Sequence, residues 1–192
     1  TIMTPEILTE RLVLKPLTLQ DADAIQVAFP QWEIVRYLID SVPWPYPDGA
    51  ARDFVANVAL PAVAAGKGWY WTIRRREAET MLIGVISLMD TPDNHRGFWL
   101  VPHWQGQGYM SEASNAVTDY WFNVLNKPVL RTPKAAANVR SVAISVKSGM
   151  RCIRTGKQRY VSGEHDSELW EVTRDEWRKF RAAQAGETAA KK

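Results

Sequence analysis

The hydrophobic pattern of this chain changes period several times. RLVLKPL (11–17) alternates apolar and polar residues, the two-residue period of a strand. LQDADAIQVAF (19–29) and WEIVRYLI (32–39) shift to helical spacing, with Thr18 as a cap for the first. SVPWPYPDGA (41–50) packs three prolines into five residues, which prevents helix and sheet and predicts a stiff loop. A third helix is predicted over 50–66, ending at Gly66. WYWTIRR (69–75), MLIGVISLM (81–89) and HRGFWLV (95–101) then read as strands, the last stopped by Pro102. Arg74, Arg75 and Arg76, followed at once by EAET, are expected at a hairpin tip held in water.

The stretch WQGQGYMSEA (104–113) leads into a helix predicted to run to about residue 125, with Ala113, Val117, Tyr120, Trp121 and Val124 on one face. PVLRTPKA (128–135) is a strand. Asn138 opens a helix whose Val139, Val142, Ala143 and Val146 share a face, and Gly149 stands at its C-terminal cap. Two last strands and a helix capped by Thr173 follow, with AGETAAKK as a loose tail. This order predicts an α+β fold with a mixed sheet in a single domain (1–185) and a flexible tail (186–192). A glycine turn between strand and helix points to a ligand at the strand's carboxyl end.

Composition narrows the function classes. The chain has 192 residues, of which 46% are hydrophobic and 23% charged, as in a soluble globular domain. No apolar run approaches the ~20 residues of a membrane span, and the first residues lack the order of a signal peptide. The single cysteine, Cys152, cannot form an internal disulfide and is expected to pack in a strand, so a cytoplasmic setting is expected. The net charge of +3 is mild and dispersed, so nucleic acid is not expected as a partner. The arginine triplet keeps a phosphate patch open as an alternative. Among nine tryptophans most belong to packing, while Trp32, Trp44, Tyr46, Trp69 and Trp71 are candidates for an aromatic pocket.

Two glycines one residue apart at a helix entrance leave backbone amides accessible. A Walker loop needs Lys-Ser/Thr after its last glycine, where Tyr109 and Met110 stand. A dinucleotide fingerprint needs a third glycine where Ser111 stands. What remains is a turn of amides at a helix N-terminus, which attracts a diphosphate.

WQGQGYMSEA resembles the acetyl-CoA pyrophosphate loop of the GNAT acetyltransferase superfamily, with Gln105, Gly106, Gln107 and Gly108 in its Arg/Gln-Gly-Lys/Gln-Gly form. TERLVLKPLTLQDADAI resembles the opening of the RimJ/RimL-type branch, NVRSVAISVKSGMR its Asn-x-x-Ser helix, and ELWEVTRDEW its ending. The resemblance covers roughly residues 9 to 180. It implies a GNAT-type, mostly antiparallel sheet with splayed middle strands. It also implies acetyl-CoA as co-substrate with no metal, a diphosphate over residues 105–110, and pantetheine contacts with backbone at Leu100 and Val101 and with Asn138.

Acetyl transfer to an amine needs a proton acceptor and a donor for the leaving thiolate. Many relatives carry a glutamate base two residues before a strand glycine, and here that position is His95. Its alternatives are a base titrating near neutrality and a strand-edge residue. The tyrosine acid of many relatives is replaced by Ser145, which leaves Ser141 as the donor candidate; a serine there also commonly bonds helix backbone. The proline-rich loop, with Trp32, Trp44 and Tyr46, is expected to shape the acceptor's entrance. The acceptor is a protein N-terminus or a small amine, and a homodimer is an open alternative. The competing classes are a non-catalytic acyl-CoA-binding module and, weakest, an RNA-associated protein.

Overall fold

Alternation in residues 11–17 predicts a half-exposed strand, yet Leu12, Val13 and Leu14 are all buried. The reason is that their sheet is covered on both faces. The computed structural model describes residues 3–191. Along the chain it forms β1 (Ile7–Leu8), β2 (Leu12–Pro16), a 3-10 turn (Leu19–Asp21), α1 (Ala22–Ala28), α2 (Trp32–Val35) and α3 (Ala50–Phe54). A π-helical turn (Val55–Ala59) joins α3 to α4 (Leu60–Ala64). β3 (Gly68–Arg75), β4 (Ala78–Met89), β5 (Arg96–Leu100), a 3-10 turn (Pro102–Trp104) and α5 (Tyr109–Asn123) follow. The chain continues through β6 (Val129–Ala135), α6 (Val139–Lys147), β7 (Arg151–Tyr160), β8 (Gly163–Thr173) and α7 (Arg174–Ala190).

Strands β1-β2-β3-β4-β5 form one antiparallel sheet and β6-β8-β7 a second. One face of the larger sheet contributes Leu12, Leu14, Trp69, Trp71 and Ile73 to a core shared with α5, β6, β8 and α7. Leu17, Tyr70 and Leu82 pack instead with residues of α1, α2, α3 and the π-helical turn in a second core. Trp69 and Trp71 are therefore core residues and not pocket walls, and Trp71 Nε1 donates to the Pro5 carbonyl at 2.7 Å.

The two sheets meet at one end. The His95 amide donates to the Arg131 carbonyl at 2.8 Å, and Thr132 Oγ1 donates to the Arg96 carbonyl at 3.1 Å. Beyond Arg96 no ladder joins β5 to β6, and the expected splay is this gap. A bulge in β4 shapes its near wall. The β3–β4 register skips Ile83, whose carbonyl accepts the Val101 amide at 2.8 Å. A Cβ at the next residue, Gly84, would stand 2.3 Å from the Trp99 carbonyl, so only glycine lets β5 lie this close.

Several local expectations are corrected. The arginines at the β3–β4 turn fold back onto the protein. Arg74 pairs with Asp21 at 2.9 Å, Arg75 lies 3.9 Å from the Trp104 ring centre, and Arg76 donates to the Thr9 and Glu10 carbonyls. Helix α2 ends at Val35 rather than at residue 39. The backbone after it is taken by the β7–β8 tip: Ser162 N–H donates to the Arg36 carbonyl, Val161 N–H to that of Leu38, and Ile39 bridges Tyr160. Val124 and Cys152 are exposed rather than packed. The segment expected as a loose tail continues α7 as far as Ala190. Helix α6 is turned over, with Val139 72% and Val146 58% exposed while Ser141 and Ser145 are buried.

Candidate active site

The gap between the sheets is a cleft of about 690 Å³. Its near wall is Phe98, Trp99 and Leu100 of β5. Its far wall is the cleft face of α6, from Asn138 and Ser141 to Lys147. The glycine loop and first turn of α5 close one end, and Glu33, Ile34, Arg36, Tyr37 and Leu38 form the mouth.

The loop behaves as the sequence pattern suggests. Gly106 has φ +77° and Gly108, the N-cap of α5, has φ +83°, a backbone region that side chains resist. The backbone amides of residues 106–111 have no acceptor among the described residues. The first residue past them with a recorded bond is Glu112, which donates to the Gly108 carbonyl. A run of free N–H groups at the positive end of a helix is an anion cradle. Two guanidinium groups flank it. Arg11 donates to the Gln107 carbonyl and to Glu112 and lies 4.3 Å from the Tyr109 ring centre. Arg140 Nη1 would stand 3.2 Å from a Cβ at Gly106.

Of the residues singled out in the sequence, Leu100, Gln105, Gly106, Gly108, Tyr109, Met110, Asn138 and Ser141 line the cleft. Gln105 is turned inward, its Nε2 donating to the Leu100 carbonyl at 2.8 Å, so that carbonyl is already engaged. Asn138 caps α6, its Oδ1 accepting the Ser141 amide at 3.4 Å. Val101 does not line the cleft, and its amide is spent on Ile83. Gln107 faces away and donates to the His103 carbonyl. Trp32 and Trp44 pair with each other at 5.8 Å, and Tyr46 stacks edge-on to Phe29 at 5.1 Å, so none of the three reaches this cleft.

His95 is not brought to the cleft either. It sits where the sheets join, stacked on Trp121 with ring centres 4.9 Å apart, and its Nδ1 accepts the Arg131 amide at 2.9 Å. That bond fixes the neutral tautomer, because a protonated ring has no lone pair to offer. Burial first, and then the Arg131 guanidinium, hold its pKa below the ordinary histidine value, while Asp90 and Asp93 work against them. The structure thus gives this ring a packing place at the joint, outside the lining of the cleft. In the unfolded chain this histidine titrates near ~6.5, so the unfolded state takes up the proton first. The stabilisation is complete above that pH and is lost as pH falls towards the lower folded value. His95→Gln is expected to destabilise the protein by about 1–3 kcal/mol at neutral pH and to flatten this slope. Urea unfolding at about pH 5 and about pH 8 checks it.

The sequence pattern did not announce three features of the cleft. Arg140 and Lys147 stand between the apolar positions that define the helical pattern of α6, yet both fall on its cleft face. Glu33 is the only carboxylate among the lining residues. Its signal was weak, because a lone acid on a short helix ordinarily faces solvent.

Comparison with known proteins agrees with this architecture. Residues 11–151 match the family model described as Acetyltransferase (GNAT) domain. The chain is 29% identical over 158 residues to the uncharacterized N-acetyltransferase YoaA of Bacillus subtilis (strain 168), covering 78% of this chain and 84% of that protein. Its fold superposes with TM-score 0.75 on Mycobacterium smegmatis RimJ in complex with CoA-disulfide, at 16% identity, covering 90% of this chain and 89% of that one. The ribosomal-protein-S5-alanine acetyltransferase of Vibrio fischeri superposes with TM-score 0.74 at 17% identity, covering 90% and 98%. The matched region spans the cradle and both walls of the cleft, and the chain belongs to the GNAT acetyltransferase family, with the fold of its RimJ- and RimL-type members.

Proposed function

We propose that the protein transfers an acetyl group from acetyl-CoA to a primary amine by direct attack, both substrates being held in the one cleft. The observation that carries this reading is the run of unengaged amides at residues 106–111. They would receive the diphosphate, with Arg140 and Arg11 beside it. From there the cleft leads inward between β5 and α6, and a CoA lying along it would bring its acyl end near Phe98 and Ser141. Holding two reactants in one groove supplies a large part of such a rate.

The mouth admits the acceptor. Glu33 gives a protonated amine an attractive carboxylate on arrival, and Tyr37 with Leu38 bounds the entrance. The likeness to acetyltransferases named for ribosomal proteins supports a peptide N-terminus as one acceptor class, alongside small amines. Ser141 is buried against the inner cleft and is the hydroxyl best placed to donate to the departing sulfur.

The test is thiol release from acetyl-CoA over a panel of peptides with free N-termini and small amines. Ser141→Ala is expected to lower kcat by about 10-fold or more with CoA affinity unchanged. Binding of CoA with no turnover on any acceptor would favour a non-catalytic acyl-CoA-binding module.

A further inference from the structure

Two cations are buried where β5 and β6 part. Arg96, on β5, is fully buried. It donates to Thr118 Oγ1 at 2.9 Å and to Met150 Sδ at 3.6 Å, and its Nε has no partner. Lys134, on β6, donates from Nζ to the Ser141 carbonyl at 2.8 Å and to Ser145 Oγ at 2.6 Å. Both charged groups lie 5.9 Å from the centre of the Phe98 ring, which lines the cleft. Neither forms an ion pair among the described residues. Glu168, register partner of Lys134 on β8, is the nearby carboxylate, and it bonds Trp170 instead.

A buried charge is retained at a cost unless something compensates it. The anion this cleft would generate is the thiolate left when the acetyl group departs. We propose that Lys134 is the positioning residue for the sulfur end of CoA: it fixes the Ser141–Ser145 turn of α6, and its ammonium form stabilises the leaving thiolate from beneath that turn. This rests on the acetyl-CoA reading above.

The reaction balances simply. The C–N bond forms, the C–S bond breaks with its electron pair on sulfur, and the proton lost by the acceptor nitrogen finally neutralises that sulfur. Lys134 keeps its proton throughout and acts as a fixed positive charge. Burial first, and Arg96 second, push its pKa well below the usual lysine value, with Glu168 opposing. An ammonium has a third donor and needs a neighbouring negative charge, which a thiolate supplies.

The test reads binding before activity. CoA and desulfo-CoA, which lacks the thiol, are titrated into the protein by calorimetry at about pH 7 and about pH 9. The parent should favour CoA over desulfo-CoA increasingly as pH rises, by about tenfold across that window. Lys134→Met should erase this preference while binding desulfo-CoA as before. The variant should fold, since an apolar side chain of similar length replaces an uncompensated charge and Ser145 can bond back to the Ser141 carbonyl. Lys134→Arg should keep the preference, because the charge remains. With an accepted amine, Lys134→Met should lower kcat and leave KM for acetyl-CoA unchanged. Equal pH dependence for CoA and desulfo-CoA in the parent, or a Lys134→Met variant titrating like the parent, overturns the proposal. Failure of the parent to bind either compound instead overturns the acetyl-CoA reading on which it rests.

Discussion

Gly108→Val is expected to weaken CoA binding by about 100-fold, equivalent to about 3 kcal/mol. Gly108 holds φ +83°, where a β-branched residue is an outlier costing about 1–3 kcal/mol. Its new Cβ would lie 3.2 Å from Arg11 Nη2. Arg11 can move, but its guanidinium also holds the Gln107 carbonyl and Glu112. Backbone that relaxes towards negative φ turns the amides of residues 106–111 away from their common focus. Gly49→Val separates strain from binding. Gly49 caps α3 at φ +80° with nothing within 4 Å of a Cβ, so it should lose stability and keep CoA affinity. Calorimetry with CoA on both folded variants decides the point, and parent-like affinity in Gly108→Val would put the cradle elsewhere.

Trp121→Ala should be among the most damaging truncations in the larger core, at about 3–5 kcal/mol. Its side chain is 1% exposed there. Its Nε1 donates to the Val129 carbonyl at 2.9 Å, and its ring carries His95. The substitution leaves a cavity, an unmet carbonyl and a loosened joint between the sheets. Against a total stability of about 5–15 kcal/mol, this approaches unfolding at moderate temperature. Trp32→Ala, at 44% exposure, should cost under about 1 kcal/mol. Equilibrium unfolding in urea compares the two, and equal losses would contradict the packing described.

What the sequence made legible was local. Strands announced themselves by alternation or apolar runs, and Asn138, Gly149 and Thr173 marked helix ends by cap chemistry that acts within a few residues. The glycine loop was readable because its geometry lies in its own backbone. Errors arose where a remote partner decides. Helix α6 shows valines on one face, but its serines turn inward because Lys134 waits there with donors to place. Arg74, Arg75 and Arg76 read as a wet tip because nothing nearby in sequence announces Asp21, Trp104 or the Thr9 carbonyl. His95, expected as the first residue of the strand, stands just before β5, where the chain is still joined to β6, and the two part only after Arg96. Where two strands diverge is set by the packing of the whole sheet, and no short window of sequence carries it.

The tip of the β7–β8 hairpin fastens the backbone that follows α2, and Ser162 Oγ reaches the Arg36 carbonyl across 126 residues of chain. Contacts so distant in sequence form late, because the entropy of closing the loop is spent before the contact returns anything. A chain leaving the ribosome N-terminus first has already made the cradle sequence, and the segment that bounds the mouth, long before residues 160–163 emerge. The glycine loop at one end of the cleft can thus meet Arg11 as soon as the start of α5 is made, while the mouth waits for nearly the whole protein. On the reading proposed above, the entrance through which the acceptor passes is the last part of this fold to be completed.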